Sequence, residues 1–523
     1  MADQVLAVDL GTSGPKVGLV GFDGSVAGCE FEPVPLHLVG DSGAEQDPDD
    51  WWRAIGVAAK RLLGSPIGTG ANVVAVAATA QWSGTVALDG GGRPNGNAII
   101  WMDSRGSEQV ARLIDGPVTV AGYHPRKLAT WVRMTGGAPG KSGKDPLAHI
   151  LWLRDTHPDR YRATEVFLEP TDFLVYQLCG RARATPDTQA LHWLTDNRNR
   201  GNIDYHPSLL ALAGLDRSKL PPLEPSASVA GALTADAAAH LGLPAGLPVV
   251  SGSSDVHSAA IGAGAVGEHA AHLYIGTSAW LSCHVDYKKT DIIRNVASLP
   301  SPVPDRYLVA NEQETAGVCL DFLADSVFVD GNHRERSERY RQFDQLAASA
   351  PPGSDGAMFT PWLHGERTPV EDANLRAAFF NLSIGVSAAS MVRSVFEGVA
   401  YNCRWLLGAV EHFTGRRLDP ITLVGGGGRS AVWAQIIADV LGRTVRRAAD
   451  PIAVNLRGAG LLAWHATNGI GLEDLAAAVP VVETHLPDAA VRSLHDARFA
   501  EFVAFHKANR RLYRRLRAID RRG

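Results

Sequence analysis

A glycine-rich bend near the start of the chain carries the residues best suited to chemistry. It lies in Leu6–Val20 (LAVDLGTSGPKVGLV), where two apolar runs flank an acid, two hydroxyls and a lysine. Val5–Val8 has the length of a buried strand and delivers Asp9 to its end, and the glycines let the backbone approach a ligand closely. The residues of the bend that could hold an anion are Gly11, Thr12, Ser13 and Lys16. The bend is therefore suited to phosphate groups, and Asp9 to Mg²⁺ or its water shell.

The same pattern recurs far down the chain. In His272–Val285 (HLYIGTSAWLSCHV) a strand-like run again leads into Gly276 and Thr277, followed by Ser278. A glycine-rich hairpin is also common as structure alone, and it is the recurrence that favours a ligand-binding role. Two such turns, each after a strand, indicate two related domains whose hairpins face one ATP.

A third glycine tract has a different layout. Ile421–Gly428 (ITLVGGGG) follows an apolar run, and Arg429–Leu441 continues with helical spacing. The tract does not match the dinucleotide fingerprint, because Ser430 stands where the third glycine should be. It suits a backbone surface lying against an adenosine, and the residues expected there are Gly426, Gly427, Arg429 and Ser430.

Further polar residues follow three predicted strands, at the strand ends where open α/β sheets gather ligands. Val73–Thr79 leads to Trp82 and Ser83, Ala98–Trp101 leads to Asp103 and Arg105, and Leu247–Val250 leads to Asp255. Each set has a structural alternative. Asp103 and Arg105 could simply pair with each other, and Asp255 could cap the helix that begins at Val256.

These tracts together resemble those of the FGGY carbohydrate kinases, which belong to the superfamily of sugar kinases, actin and heat-shock chaperone ATPases. The resemblance extends over most of the chain, and its PWLHGERTP and GGGGRSAVW tracts are most similar to the xylulokinase branch. The other matching tracts are Ile100–Arg105, Gly252–Gly264 and Phe396–Arg404. The resemblance implies an α/β fold of two actin-like (ribonuclease H-like) ATPase domains with a cleft between them. We expect the N-terminal domain at 1–254, the C-terminal domain at 255–482 and a helical tail at 483–523.

The resemblance also implies a role for each candidate residue. Asp255 is the expected catalytic base, near the domain junction, and Asp9 is expected to bind Mg²⁺ directly or through water. The expected phosphate ligands are Gly11, Thr12, Ser13, Lys16, Gly276 and Thr277. The expected sugar pocket contains Trp82, Ser83, Trp101, Asp103, Arg105 and Asp255.

Length and composition agree with a small-molecule enzyme. A chain of 523 residues exceeds one ordinary core, and a net charge of −5 supplies no general attraction for nucleic acid or an anionic membrane. Five scattered cysteines argue against a disulfide framework and a zinc site. The start of the sequence shows no targeting segment and no apolar run long enough to span a membrane, which predicts a cytoplasmic protein. A homodimer is an analogy with the family.

The expected reaction is ATP-dependent phosphorylation of a small sugar, with D-xylulose leading and another pentulose or a polyol (ribulose, glycerol, a tetritol or a pentitol) as alternatives. Xylulokinases characteristically have Met-His, and glycerol kinases Arg-Glu, where this chain has Trp82 and Ser83. A chaperone-like or actin-like ATPase switch is the alternative of a different class, and a sugar-binding regulator is another. The residues of the sugar pocket distinguish the kinase from the switch, which has no need of them.

Overall fold

The structure is a computed structural model that describes residues 3–328 and 335–520. The strands of the first half are β1 (Asp3–Gly11), β2 (Gly14–Val20), β3 (Val26–Phe31), β4 (His37–Val39), β5 (Gly43–Gln46), β6 (Asn72–Ala80), β7 (Val86–Asp89), β8 (Ala98–Ile99), β9 (Thr164–Leu168), β10 (Val229–Ala232), β11 (Pro248–Val250) and β12 (Ser253–Ser254). Its helices are α1 (Pro48–Leu63), α2 (Ser107–Ile114), α3 (Pro125–Thr135), α4 (Pro146–Thr156), α5 (Pro158–Ala163), α6 (Pro170–Cys179), α7 (Pro207–Ala213), α8 (Ala235–Leu241) and α9 (Asp255–Gly262).

The second half has its own set of strands and helices. Its strands are β13 (Ala271–Ile275), β14 (Ala279–Val285), β15 (Thr290–Asp291), β16 (Val296–Pro300), β17 (Tyr307–Ala310), β18 (Met358–Thr360), β19 (Ala378–Phe380), β20 (Ile421–Val424), β21 (Val445–Ala448) and β22 (Val481–His485). Its helices are α10 (Val318–Phe322), α11 (Arg336–Ser349), α12 (Ala388–Thr414), α13 (Ala431–Leu441), α14 (Val454–Asn468), α15 (Leu472–Ala477) and α16 (Arg492–Asp520).

The main sheets of the two halves repeat one topology. The first runs β10-β11-β6-β1-β2-β3, with β1, β2 and β3 antiparallel and β6 and β11 parallel to β1. The second contains β17-β14-β13-β20-β21, with the same alternation of antiparallel and parallel pairs. In each half an antiparallel hairpin therefore lies beside a parallel strand. This is the repeated α/β architecture expected for two actin-like domains.

Local sequence explains why β1 and α1 form where they do. The six residues Val5–Leu10 of β1 are buried, because the strand is covered on both faces. Asp47 caps the start of helix α1, because its carboxylate accepts the Asp49 N–H at 2.9 Å, and Pro48 occupies the first turn. Trp51 is fully buried and Trp52 stacks on His240, so both tryptophans are packing groups.

The two halves pack through small residues. Helix α14 lies between β21 and β22 of the second sheet in sequence but packs on β1, β2 and β6 and crosses α9. At this crossing a Cβ added to Gly458 would lie 1.9 Å from the Ser258 carbonyl oxygen, and one on Gly262 would lie 1.9 Å from the Val454 carbonyl oxygen. This close approach brings the start of α14 next to the end of β1.

The tail is also part of the packed structure. Helix α16 places Phe502 in the core of the second half, between Trp362 and Tyr401, while its arginines at 510, 511, 514, 515 and 517 follow on the same helix. Within the described ranges, none of the helices combines the length and the apolar character needed to cross a membrane. Part of the charge run GNHRERSERYRQ, residues 331–334, lies outside the described residues.

Candidate active site

Strand register places the two predicted catalytic acids on either side of β6. Asp9 of β1 is paired with Thr79 of β6, whereas Ser254 of β12 is paired with Ala80 on the opposite side of that strand. Asp255 follows Ser254 directly and is the first residue of α9. Both acids therefore lie at the carboxyl ends of neighbouring parallel strands, which is where open α/β sheets bind ligands.

The surroundings of Asp255 are unusual for a carboxylic acid. Burial, followed by the nearby charge of Asp9, raises the pKa of Asp255 to about 7, and the charge of Glu312 adds to the effect. The backbone N–H groups of Val256, at 2.9 Å, and of Trp82 act in the opposite direction by stabilising the carboxylate. Asp255 nevertheless stays partly exposed. A partly exposed carboxyl group that titrates near neutral pH is suited to accept a proton from a bound hydroxyl group.

Asp9 is almost completely buried and is held from two sides. Its Oδ2 accepts a hydrogen bond from Lys16 Nζ at 3.0 Å, and its Oδ1 lies 3.4 Å from Asn455 Nδ2 at the start of α14. The charge of Asp9 raises the pKa of Lys16, so the lysine is a permanent cation beside the bend. The Asn455 Oδ1 atom is buried and has no hydrogen-bond partner within residues 3–328 and 335–520.

These oxygens fit a magnesium ion. Mg²⁺ binds to proteins through one or two carboxylates, keeps several of its waters and takes further ligands from substrate phosphates. The carboxylate of Asp9 and the free oxygen of Asn455 are hard oxygen donors of the kind that the ion and its water shell require. Sequence spacing could not have identified Asn455, because 446 residues separate it from Asp9.

The first hairpin has the expected form and is braced by side chains. The pairing of β1 with β2 ends at Gly11 opposite Gly14, and Gly14 has a φ of 142° with no room for a Cβ beside the Glu32 carbonyl. The Thr12 hydroxyl donates to Gln81 Oε1 at 3.0 Å and accepts from Trp101 Nε1 at 2.9 Å. Ser13 at the tip is exposed. The backbone of the turn is thus fixed in place, with its tip open to a ligand.

The second hairpin and the third glycine tract lie side by side. Because β13 and β20 pair in parallel, both tracts emerge from the same edge of the second sheet. Gly425 has a φ of 79°, and a Cβ there would come within 2.6 Å of the Ile275 carbonyl oxygen. Burial raises the pKa of the Tyr274 hydroxyl group to about 12, and this group is close enough to Lys16 and Asp9 for their charges to act on the same pKa. The second hairpin therefore faces the first.

The expected nucleotide residues divide into accessible and engaged groups. Gly426, Arg429 and Thr277 are exposed, whereas the Ser430 hydroxyl caps α13 by accepting the Trp433 N–H and donates to Asp344 at 2.6 Å. A cavity of about 460 Å³ adjoins the first hairpin and the third tract. It is lined by Lys16, Val26, Gly28, Cys29, Arg429, Asp450, Pro451, Ile452 and Ala453. It joins two of the three tracts that the sequence assigns to ATP.

The turn at Trp82 and Ser83, the predicted sugar turn, lies against Asp255. The polar side-chain groups of these two residues are already hydrogen-bonded within the protein. Trp82 Nε1 donates to the Thr188 carbonyl oxygen at 3.0 Å, and the indole packs edge-on to His257 with 5.0 Å between ring centroids. The Ser83 hydroxyl donates to the Lys144 carbonyl oxygen at 2.9 Å. The loop before Pro146 thus reaches the turn. The side chain of Trp82 offers the pocket an apolar wall rather than a donor.

Asp103 and Arg105 form an ion pair with each other, which is the structural alternative that their spacing in the sequence allowed. Asp103 is 1% exposed, and its Oδ2 accepts the Ala44 N–H at 2.9 Å and Arg105 Nε at 2.8 Å. Arg105 also bonds to Glu45 and lies over the Trp152 ring. The pair therefore holds the backbone of β5 at Ala44.

One charged cluster near Asp255 was not anticipated from the sequence. Arg367 of the PWLHGERTP tract bonds to Glu312 and Glu314, and these charges raise its pKa. The charge of Asp145, from the loop of the first half, acts on Arg367 as well. The PWLHGERTP motif was a signal for Arg367, but the pairing of Arg367 with Glu312 and Glu314 depends on tertiary structure.

Comparisons with known proteins agree with the geometry. The model for the N-terminal domain of the FGGY family of carbohydrate kinases matches residues 4–262, and the model for its C-terminal domain matches residues 271–467. The xylulose kinases of Staphylococcus epidermidis and Escherichia coli are each 28% identical to the chain; both matches cover 98% of it, and 98% and 99% of the relatives. The crystal structure of xylulose kinase from Rhodospirillum rubrum superimposes with a TM-score of 0.83 at 25% identity, over 98% of this chain and all of that one.

Proposed function

The chain belongs to the FGGY family of carbohydrate kinases, and we propose that its substrate is D-xylulose, which it converts with ATP to D-xylulose 5-phosphate. The relatives named xylulose kinase that align over almost the whole chain support this choice of sugar. The observation that carries the proposal is the partly exposed Asp255, with a pKa raised to about 7, beside Asp9 at the strand ends.

In this proposal Asp255 accepts the proton of the attacking hydroxyl group as that oxygen bonds to the γ-phosphorus of ATP, while the bond from this phosphorus to the bridging oxygen breaks and ADP leaves. Phosphoryl transfer depends mainly on positioning and on neutralising charge, and a well-placed base contributes about 10²- to 10⁴-fold. The turn of the first hairpin and Lys16 hold the phosphate groups from one side, and Gly276 and Thr277 hold them from the other. Closure of the two halves brings these groups into line and excludes water.

Magnesium would be held by Asp9, with the Asn455 oxygen available to its water shell. When bound, the ion neutralises the charge on the phosphate oxygens. Lys16, which pairs with Asp9, is positioned to neutralise the charge on the same phosphate oxygens. The backbone of Gly426 and Gly427 and the side chain of Arg429 would lie along the adenosine, while Ser430 holds the start of α13.

A second candidate substrate follows from the sugar turn. Trp82 and Ser83 replace the Met-His pair characteristic of xylulokinases, and both of their side-chain donors are bonded to the protein. An apolar wall discriminates by shape, typically by about 10- to 200-fold, rather than by directed hydrogen bonds. Another pentulose or a polyol is therefore the alternative.

A substrate panel decides between these sugars. Purified protein is assayed for ADP release with ketopentoses and with C4 to C6 polyols at equal concentrations, with and without Mg²⁺. We expect the highest kcat/KM with D-xylulose and no turnover without the metal. ADP release that is equal with and without any sugar would contradict a kinase and favour an ATPase switch.

The proposal extends to assembly and location by analogy with the family. A homodimer in the cytoplasm is the expected state, and light scattering on the purified protein measures the first part directly. A mass of one chain, 55.7 kDa, would contradict the dimer without affecting the catalytic proposal.

A further inference from the structure

A buried polar cluster lies directly behind the sugar turn and has no part in the site described above. Its central residue is Glu169, which precedes α6 and is 1% exposed. Glu169 Oε2 accepts the backbone N–H of Gly84 at 3.1 Å, and the N–H of Ser83 lies near enough to act on the pKa of the same carboxyl group. A buried glutamate is expensive unless its oxygens are bonded, so these two contacts need a structural or functional reason.

The backbone that Glu169 holds is strained. Ser83 has a φ of 68°, in the left-handed region that residues other than glycine, asparagine and aspartate seldom adopt. Such a conformation persists only where neighbouring groups determine it. A Cβ on the next residue, Gly84, would lie 2.5 Å from Pro170 Cγ, so the turn is pressed directly against the start of α6. The Glu169 carboxyl group accepts the Gly84 N–H and lies beside that of Ser83, the two N–H groups that follow Trp82.

The turn connects Glu169 to the proposed base. Asp255 lies beside this turn, because Ser254 before it is paired with Ala80 of β6, and the nearby backbone N–H of Trp82 favours the ionised carboxyl group and lowers its pKa. Glu169 and Asp255 are also close enough for the charge of Asp255 to raise the pKa of Glu169, together with burial and the charge of Asp172. The orientation of the Trp82 N–H thus depends on a turn that Glu169 holds at the Gly84 N–H and that Pro170 presses against.

The far side of Glu169 is occupied by neutral groups. Glu169 Oε1 and His192 Nδ1 are both buried, lie 4.0 Å apart and have no hydrogen-bond partner among the described residues. Burial lowers the pKa of His192 to about 3, and that of His149, which faces it, to about 4. No cation therefore faces Glu169 from these histidines at neutral pH, and the carboxyl group acts through hydrogen bonds rather than through an ion pair.

We propose that Glu169 is a positioning residue for phosphoryl transfer, which fixes the Ser83–Gly84 backbone so that the Trp82 N–H holds the carboxyl group of Asp255 in place. This inference rests on the proposed role of Asp255 as the base. It assigns a function to a residue outside the three glycine tracts and outside the predicted sugar pocket.

The test compares three variants of Glu169 in the full-length chain. Glu169→Gln keeps an oxygen acceptor for the Gly84 N–H and should stay within about threefold of the unmodified protein in kcat/KM. Glu169→Ala removes the acceptor, and displacement of a catalytic group can cost about 10²-fold. Glu169→Asp cannot reach the turn and should resemble Glu169→Ala, which keeps the test valid if the alanine variant does not fold.

The decisive readout is the pH at which kcat/KM reaches half its maximum. Displacement of the Trp82 N–H removes a group that favours ionised Asp255, so the midpoint should move upward in Glu169→Ala and Glu169→Asp but not in Glu169→Gln. Asp9, Glu312 and the Val256 N–H, which also act on Asp255, are unchanged in these variants. Any charge of Glu169 itself is absent from both Glu169→Gln and Glu169→Ala, so the difference between these two midpoints isolates the loss of the acceptor. A residue that only supports folding would lower stability without moving the midpoint.

Glu397→Ala is the matched control. Glu397 is also 1% exposed and also accepts a glycine N–H, from Gly353 at 2.9 Å, but it lies in the second half away from the turn. It should lower the melting temperature and leave the midpoint in place. An unmoved midpoint in both Glu169→Ala and Glu169→Asp, or equal damage by Glu169→Gln, would overturn the inference. If the unmodified protein itself shows no midpoint near neutral pH, the role of Asp255 fails instead.

Discussion

Asp9 lies in β1 and Asp255 directly follows β12, and these two strands flank β6 on opposite sides. After burial, the charge of Asp9 is the main cause of the high pKa of Asp255. Two acids of one site therefore have different tasks. Asp9 is paired with Lys16, as a metal ligand beside phosphate groups would be, whereas Asp255 titrates near the pH at which it must accept a proton.

The first prediction concerns pH. Because Asp255 must be ionised to accept a proton and its pKa is raised to about 7, kcat/KM for the sugar should rise about tenfold per pH unit below pH 7 and level off above about pH 8. The measurement is the initial rate at sugar and MgATP concentrations well below their KM values, so that the profile reports the free enzyme, from about pH 5.5 to about pH 8.5. A flat profile over this range would contradict the role of Asp255.

The second prediction concerns stability. A carboxyl group whose folded pKa lies above its unfolded value binds more protons in the folded state, so its contribution to stability falls as pH rises from about 4 to about 7. The ionised form costs at most about 4 kcal/mol, and each kcal/mol shifts the melting temperature of a large chain by about 2–4 °C. Asp255→Asn should therefore melt several degrees above the unmodified protein at pH 8, and at nearly the same temperature at about pH 4.

A surface variant provides the comparison for this stability effect. Asp196 bonds to Arg198 on the surface and has a pKa below its usual value, so it is ionised throughout the neutral range. The difference in melting temperature between Asp196→Asn and the unmodified protein should stay constant from about pH 6 to about pH 8. The same constant difference for Asp255→Asn would show that Asp255 does not titrate in the fold.

The third prediction concerns the metal. Asp9→Asn should raise the Mg²⁺ concentration needed for half-maximal activity by at least about tenfold, because it removes the buried carboxylate next to Lys16. It should also lower the midpoint of the pH profile, since the Asp9 charge that raises the pKa of Asp255 is lost. Asp50→Asn, on the surface of α1, is the control for both titrations. An unchanged Mg²⁺ titration in Asp9→Asn would remove its assignment as a metal ligand.

The fourth prediction concerns substrate choice. The double variant Trp82→Met, Ser83→His should shift preference towards D-xylulose by about 10- to 200-fold relative to polyols, because it exchanges an apolar wall for a group that can donate and accept. The ratio of kcat/KM values across the substrate panel measures the shift. Trp52→Met, which changes a tryptophan that stacks on His240 away from the turn, should leave the ratio unchanged.

The same factor for every substrate in the double variant would show that the turn does not set specificity. The choice would then depend on Trp101 or on the loop before Pro146, which already touches Ser83 through the Lys144 carbonyl.

Much of the fold could be predicted because local patterns coincide with it. The two hairpins, the strand Ile421–Val424 and the helix that follows it lie where apolar runs and glycine bends place them. The ends of short strands were harder to predict: Ala98–Trp101 reads as a strand, but the ladder ends at Ile99 because the chain turns there, with the Asp103 N–H donating to the Ile100 carbonyl oxygen.

Long-range pairing is what sequence spacing could not supply. Asn455 reaches Asp9 only because α14 returns from the second half to pack on the first sheet. Glu169 reaches the turn at Ser83 through a contact between residues 85 positions apart, and Gln81 braces Thr12 across 69 positions. None of these polar residues lies in a motif of its own, so their roles depend on the tertiary structure.

The most direct test of the account is to measure sugar-dependent ADP release and ATP affinity together in Asp255→Asn. The account predicts that kcat falls by about 10²- to 10⁴-fold, because the proton acceptor is lost, while the Kd for ATP stays within about threefold, because the glycine tracts and Lys16 are intact. Near-normal turnover in this variant, with its fold confirmed by thermal melting, would contradict the assignment of Asp255 as the base.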